Sequence, residues 1–313
     1  MAEDGTGRSI LKWGCFGCLG CLGVVALLVA VAVGVGWLSA RNTKLEDQVV
    51  ARDLPRAAEP EPEAPPAEPA ATAVTPASTS AGRVILDLSQ AEFHVQPGEP
   101  GGKVRVEASY DKRAHELEES LDEPPQGPWV YRIRFRQIGG GGWLRGLFAP
   151  KTSVSIYLPP DVPLELELDV RQGGAQIELG GLWLTTARIS THQGGGEISV
   201  SEPLHAPMER FELSNQMGGM SVRSVGNASP AHFVAECSMG GMALDLRGAW
   251  VQDATIELDS SMGGLDVRLP RDLTLRGVPG REPAPGTAPE PEVRRPILTF
   301  SVDPGASKNI KFR

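Results

Sequence analysis

The 313-residue sequence predicts an all-β protein: a β-solenoid-like stack of Gly-Gly repeats about 22 residues long, preceded by one transmembrane helix and a Pro-rich linker. Three observations lead there. Five Gly-Gly pairs recur with their first glycines 21, 24, 22 and 23 residues apart. Runs that alternate apolar and polar residues, the period of a strand, fill the rest of the C-terminal part. No charged residue interrupts positions 13–40, the 28 residues between Lys12 and Arg41. Composition agrees, with 37 Gly, 27 Pro and only 5% aromatics, the balance of a turn-rich chain. The formal charge, 30 basic less 39 acidic residues, is −9, so nucleic acid is not expected as a partner.

Residues 1–12 read as a short tail and 13–40 as the helix that meets the lipid bilayer. A span needs about 20 apolar residues, and the stretch from Val24 to Val33 is apolar on every side. Trp13 and Trp37 sit near its ends, where indole favours the headgroup boundary. A cleaved signal peptide would have a shorter apolar core and small residues before the cut. Leu38-Ser39-Ala40 offers a bulky one, so an uncleaved signal anchor is the expectation. Cys15, Cys18 and Cys21 alternate with glycines. A metal cluster would need a fourth ligand, and Cys237 is more than 200 residues away. A small-residue stripe for close helix packing, and hence oligomerisation, is the simpler reading; acylation or an intermolecular disulfide are the alternatives. Charge does not choose the orientation, because Arg8 and Lys12 precede the span while Arg41, Lys44 and Arg52 follow it. The order of short tail, span, spacer and large domain points to a single-pass bacterial membrane protein with its C-terminal domain extracytoplasmic.

Residues 41–82 read as a juxtamembrane segment and a disordered linker rich in Pro, Ala and Glu. Seven prolines between Pro55 and Pro76 favour an extended chain that buries little. At about 3.1 Å per residue, the 30 residues 53–82 would reach on the order of 90 Å and hold the domain clear of the bilayer.

Residues 83–313 read as the β-repeat domain. Val84, Leu86 and Leu88 alternate with polar residues, as do Val104 and Val106, then Trp129 to Phe135, then Val154 to Leu158. The one weak helical candidate, a polar one, lies near Lys112–Leu121. Pro-rich interruptions fall at Asp122–Pro128 and at 277–296, the latter a long loop before one last strand. The doublets are Gly173-Gly174, Gly194-Gly195, Gly218-Gly219, Gly240-Gly241 and Gly263-Gly264, each followed by an alternating run. A bulge or tight corner there switches which residues point inward, and glycine accepts the positive φ this needs. Each unit is then strand, corner, strand, turn, and units stack because none can bury both faces alone. A second element recurs: Ile156-Tyr157-Leu158-Pro159-Pro160-Asp161 and Val267-Arg268-Leu269-Pro270-Arg271-Asp272 each end a strand with proline and turn on an acidic residue.

With its Leu-Pro-x-Asp turns and regularly spaced Gly-Gly strand pairs, the chain resembles the bacterial toast-rack β-repeat domains, often labelled adhesins and of unknown function. Their relatives include C-terminal domains of membrane proteins that respond to cell-wall-active antibiotics. The resemblance covers roughly 154–313 and implies a fold, with no catalytic motif to carry over. The Pro-rich insert at 277–296 and the loop at 139–150 depart from it.

No catalytic, cofactor or metal residue is expected, and the chain is read as not an enzyme. The five histidines lack ligand spacing, and neither a Gly-x-Ser-x-Gly elbow nor a phosphate loop is present. Met217, Met220, Met239, Met242 and Met262 flank the glycines of three repeats. They are expected to fill the core, with a thioether ladder for a soft ion as the rival. Cys237 is expected to be buried. Arg132, Arg134 and Arg136 share one strand face, with Lys103 and Arg105 as candidate neighbours; a solvated face is the default, an anionic envelope polymer the sharper reading. The loop holding Trp143, Leu144, Leu147 and Phe148 places large apolar residues among glycines. It fits either a partner contact or a flap over the open end of the stack. The expected function is a membrane-anchored, non-enzymatic, extracytoplasmic binding module, adhesin-like or part of an envelope-stress response, with an envelope polymer or membrane protein as partner. The alternative is a scaffold whose stack self-assembles, on the cytoplasmic side or elsewhere.

Overall fold

The computed structural model describes residues 45–55, 81–124, 127–139, 152–279, 295–302 and 305–313, with Leu27, Ala30, Val31 and Gly34 as isolated helical positions. Among the described residues no helix is long and apolar enough to cross a membrane. Apart from those four positions, the expected span at 13–40 lies outside them.

Among the described residues, alternation of apolar and polar positions builds fifteen strands. They are β1 (Glu46–Asp53), β2 (Gly82–Pro97), β3 (Lys103–Tyr110), β4 (His115–Asp122), β5 (Val130–Gln137), β6 (Ser153–Leu158), β7 (Leu164–Glu178) and β8 (Leu184–Ser199). Then follow β9 (Arg210–Arg223), β10 (His232–Asp245), β11 (Ala254–Ser260), β12 (Gly264–Arg268), β13 (Thr274–Arg276), β14 (Ile297–Val302) and β15 (Ile310–Phe312). All belong to one hydrogen-bonded sheet. β2, β7, β8, β9 and β10 are long strands that pair in parallel, each bent near its middle. Beyond β10 the first half of the next rung is β11 and the second half β12; β14 and β15 follow them in the same two positions. On the other side of β2, β5 and β6 make one more split rung, also parallel.

Each half-strand turns alternate residues inward. In β9, Phe211, Leu213 and Asn215 are buried before the bend and Met220 and Val222 after it. Inward parity therefore changes from odd to even across Gln216–Gly219, as a corner requires. The two walls meet in one core. Phe300 of β14 lies edge-on to Phe312 of β15 at 6.0 Å, and at the other end Tyr110 of β3 meets Phe135 of β5 at 5.3 Å. Each buried Leu, Ile or Phe adds about 1.5–3 kcal/mol of transfer free energy, so paired walls, and not any single rung, hold the fold.

The two glycines of a doublet do different work. Gly173, Gly194, Gly218 and Gly240 have φ of 126°, 133°, 121° and 118°, where L side chains are strained. A Cβ on Gly194 would lie 2.0 Å from the carbonyl oxygen of Gly173, one on Gly218 1.6 Å from that of Gly194, and one on Gly240 2.0 Å from that of Gly218. The first glycine is thus required twice over. The second faces open space at Gly174, Gly219 and Gly241. The fifth doublet differs: its strand is interrupted over 261–263 between β11 and β12, and Gly263 has no positive φ.

Three sequence expectations change. Residues 41–82 include β1, which pairs antiparallel with β3, and Leu54 lies in the core, so the sheet begins well before position 83. The Pro-rich stretch therefore joins two strands of the same sheet instead of leading up to it. The helical candidate near 112–121 is strand β4, paired antiparallel with β5. Its Leu117 and Leu121 are four residues apart, a spacing that shares a face in both helix and strand. After the loop at 277–296 two strands follow, not one: β14 inserts between β11 and β13, and β15 extends the second wall. The Leu-Pro-x-Asp elements join β6 to β7 and β12 to β13; in the first, Asp161 accepts the backbone N–H groups of Gly101 and Gly102 at 3.1 and 3.2 Å.

Gly218→Ala is expected to destabilise the chain by more than ~3 kcal/mol, from clash and strain together. Gly219→Ala is expected to cost less than ~1 kcal/mol. Urea denaturation of both variants checks the asymmetry; equal losses would contradict the corner geometry.

Candidate functional site

The bends align up the stack and form one edge, here termed the corner face. The residue before each first glycine is its crest: Gln172, Gln193, Met217, Met239 and Met262. Gln172 pairs with Gln193, Gln193 with Met217 and Met217 with Met239. Met262 continues the line, its N–H donating to Ser238 at 2.8 Å. In β2, Ala91 takes the place of the first glycine and Gln90, at φ 64°, bulges outward, donating to the side chain of Gln172 at 3.1 Å.

Inside the corner runs a buried polar ladder. Thr191 Oγ1 donates to Asn215 Oδ1 at 2.9 Å, and Asn215 Nδ2 donates to the Gly218 carbonyl at 3.2 Å and to Cys237 Sγ at 3.9 Å. Burial pushes the Cys237 thiol up, against a smaller downward pull from Asn215. A buried neutral thiol is a small apolar filler and a poor nucleophile.

Beside the crest, Glu92, Gly174, Ala175, Gln176, Gly195, Gly196 and Glu197 line an open groove of about 400 Å³. Its floor is glycine backbone, and Glu197 on its rim is paired with Arg223 at 2.9 Å.

The apolar loop residues Trp143, Leu144, Leu147 and Phe148 lie outside the described residues. Its two roots are described. Ile138 N–H donates to the Ala114 carbonyl at 2.8 Å, and Thr152 accepts from the Glu92 N–H at 3.0 Å. The loop thus joins β5 to β6 where other rungs have their glycine corner. At the adjacent end the two walls continue as antiparallel strands, β3 and β1 beyond β6 on one wall and β4 beyond β5 on the other. Arg52 of β1 and Glu119 of β4 lie 3.1 Å apart, and Tyr131 donates to the same carboxylate at 2.8 Å, which ties the two walls together at that end.

The arginine face is a neutralised one. Arg132 meets Asp122 at 3.3 Å, Arg134 meets Asp87 at 3.4 Å, and Arg136 meets Glu118 and Glu116 at 2.9 and 3.1 Å. Lys103 and Arg105 belong to β3, on the other wall, and do not join it. The methionines divide. Met220 and Met242 are 3% and 2% exposed, whereas Met217, Met239 and Met262 are 39%, 43% and 73% exposed. The core expectation therefore holds for two and is corrected for three, because the crest residue lies outside the parity change. Among the described residues no group of three or more His, Cys, Asp or Glu is placed to hold a metal ion.

On the turn side, Glu178 gathers donors from its own turn and from the next rung. Its Oε1 accepts from Gly180 N–H at 2.7 Å, Ser201 N–H at 2.9 Å and Ser201 Oγ at 3.0 Å, and its Oε2 accepts from Ser199. Burial raises this carboxyl, but the four bonds together outweigh it and hold the group below the usual carboxylate range. A depressed carboxylate stabilises the fold above its unfolded pKa and loses that contribution as pH falls through the folded value. Glu178→Gln is expected to cost about 1–2 kcal/mol at pH 7. That difference should close as pH falls from about 5 to about 3, as checked by thermal melts across that range.

No family model matches the chain, and no curated protein matches it. Among solved structures it is similar to a "putative cell adhesion protein" from Clostridium sporogenes, at 9% identity and a TM-score of 0.46, covering 72% of this chain and 99% of that one.

Proposed function

We propose that the chain is a single-pass, membrane-anchored binding module of the bacterial envelope, adhesin-like or part of an envelope-stress response. Its rungs make a β-solenoid that presents the corner face to an envelope polymer or a membrane protein outside the cytoplasm. The observation that carries a contact role is where the Trp143–Phe148 loop is rooted. It leaves the sheet between β5 and β6, at a corner and not from the edge strands β1 and β4, which places its root on the corner face.

The anchor and the stack are close in this reading. Positions 41–45 separate the apolar run from β1. Five extended residues span at most about 18 Å, far short of the reach of a free Pro-rich stalk. The first rung then stands near the bilayer and the repeats build away from it or along it.

The scaffold reading is less well supported. End-to-end assembly needs long open edges, and the C-terminal edges, β13 and β15, have three residues each. At the other end the edges β1 and β4 have eight residues each; β1 carries Glu46, Asp47, Arg52 and Asp53 and β4 carries Glu116, Glu118, Glu119 and Asp122, a charge density that protects edges from pairing.

Two measurements test the proposal. A Ser78→Cys residue in intact cells is expected to react with a membrane-impermeant maleimide; protection until lysis would put the domain on the cytoplasmic side. Trp143→Ala with Leu144→Ala is expected to abolish co-sedimentation with isolated cell envelopes while leaving the melting temperature unchanged. A fall in melting temperature instead would restore the flap.

A further inference from the structure

Exposed methionine is unusual, since the side chain is mostly buried in folded proteins. Here three of the seven methionines occupy the crest of three consecutive rungs and stand in solvent. Corner geometry alone does not demand this. The crest of the two preceding rungs is Gln172 and Gln193, and β2 adds Gln90. The position accepts an unbranched chain of methionine's length that leaves no apolar surface in water. What methionine adds over glutamine at Met217, Met239 and Met262 is a thioether.

We propose that Met217, Met239 and Met262 form a site for a soft monovalent metal ion, Cu(I) or Ag(I), on the corner face. Thioethers are poor ligands for Ca²⁺, Mg²⁺ or Zn²⁺ and select Cu(I) among biological metals. Parallel pairing holds Met217 and Met239 about 4.8 Å apart, and the Met262 N–H bond to Ser238 sets the third crest residue beside Met239. With metal–sulfur bonds of about 2.3 Å, one ion can bridge two neighbouring crest sulfurs at that spacing, and the third joins by swinging its flexible side chain toward them. For Met217 and Met239 the register is fixed by backbone, through the positive-φ glycine next in the chain, while Met262 sits in the interrupted segment 261–263 and is held by its N–H bond to the Ser238 carbonyl. Glu236 and Asp259, three residues before Met239 and Met262 and facing outward on the same rungs, add negative charge nearby that favours a cation.

The test uses the full chain with Cys15, Cys18 and Cys21 replaced by serine and methionine methyl groups labelled with carbon-13, titrated with Ag(I) in chloride-free buffer. The ε-methyl signals of Met217, Met239 and Met262 are expected to shift together and saturate at one ion per chain, while those of Met208, Met220 and Met242 stay in place. Met239→Leu keeps the apolar volume at an exposed position and is expected to weaken binding about tenfold or more, equivalent to about 1.4 kcal/mol. Met220→Leu, in the core, is expected to leave affinity unchanged. Crest signals that stay still through one equivalent would overturn the proposal. So would an unchanged affinity in Met239→Leu with the protein folded.

Discussion

The whole stack depends on a contact between backbones. At each corner the carbonyl oxygen of one rung's first glycine occupies the place where a Cβ on the next rung would have to be. The approach is closed by a φ that only glycine adopts cheaply. Because the contact recurs from Gly173 to Gly240, it sets the register of rung upon rung. A slip of one residue would drive a side chain into a carbonyl and turn every inward residue of that strand to solvent.

A fixed corner displaces variation to the opposite side. The rungs differ by up to three residues in length, and the difference is taken up between the strands, at 200–209 and 224–231, while the doublets stay aligned. There side chains do the joining. Asn227 donates to the Val200 carbonyl at 2.8 Å and accepts from the Ala249 N–H at 3.0 Å, bridging three rungs. Glu178 does the same work with charge. The corner is specified by an absence of side chains and the turns by their presence, which is why the corner recurs from rung to rung while, among the turns, only the Leu-Pro-x-Asp element is repeated.

That contrast decides what could be read in advance. The doublets were legible because a steric requirement leaves one residue type. The rung in β2 was not, because its corner is made by a bulge at Gln90 with Ala91 in the glycine position. The split rungs of β5 with β6 and of β14 with β15 hid for the same reason, their corners replaced by intervening segments. β1 hid inside a proline-rich neighbourhood whose composition outweighs eight residues of alternation. β4 hid because Leu117 and Leu121 fit two periods equally. With β4 unread, Arg132, Arg134 and Arg136 looked like an unpaired basic face, when their partners were the acids one strand away.

The methionines show where pattern reading fails most instructively. A parity switch at the corner lets Met217 and Met220, three residues apart, both be read as inward, which is why all five methionines are expected in the core from sequence. Burial decides: Met220 and Met242 face the core, Met217 and Met239 the solvent. The crest is then the one line of side chains whose spacing is dictated by backbone geometry and whose identity the core does not constrain. Residues there are free to be chosen for what they meet outside. Three glutamines followed by three thioethers on that line, with the root of an apolar loop at the corner before the first glutamine, make the corner face the side on which a partner or an ion would find a preorganised array.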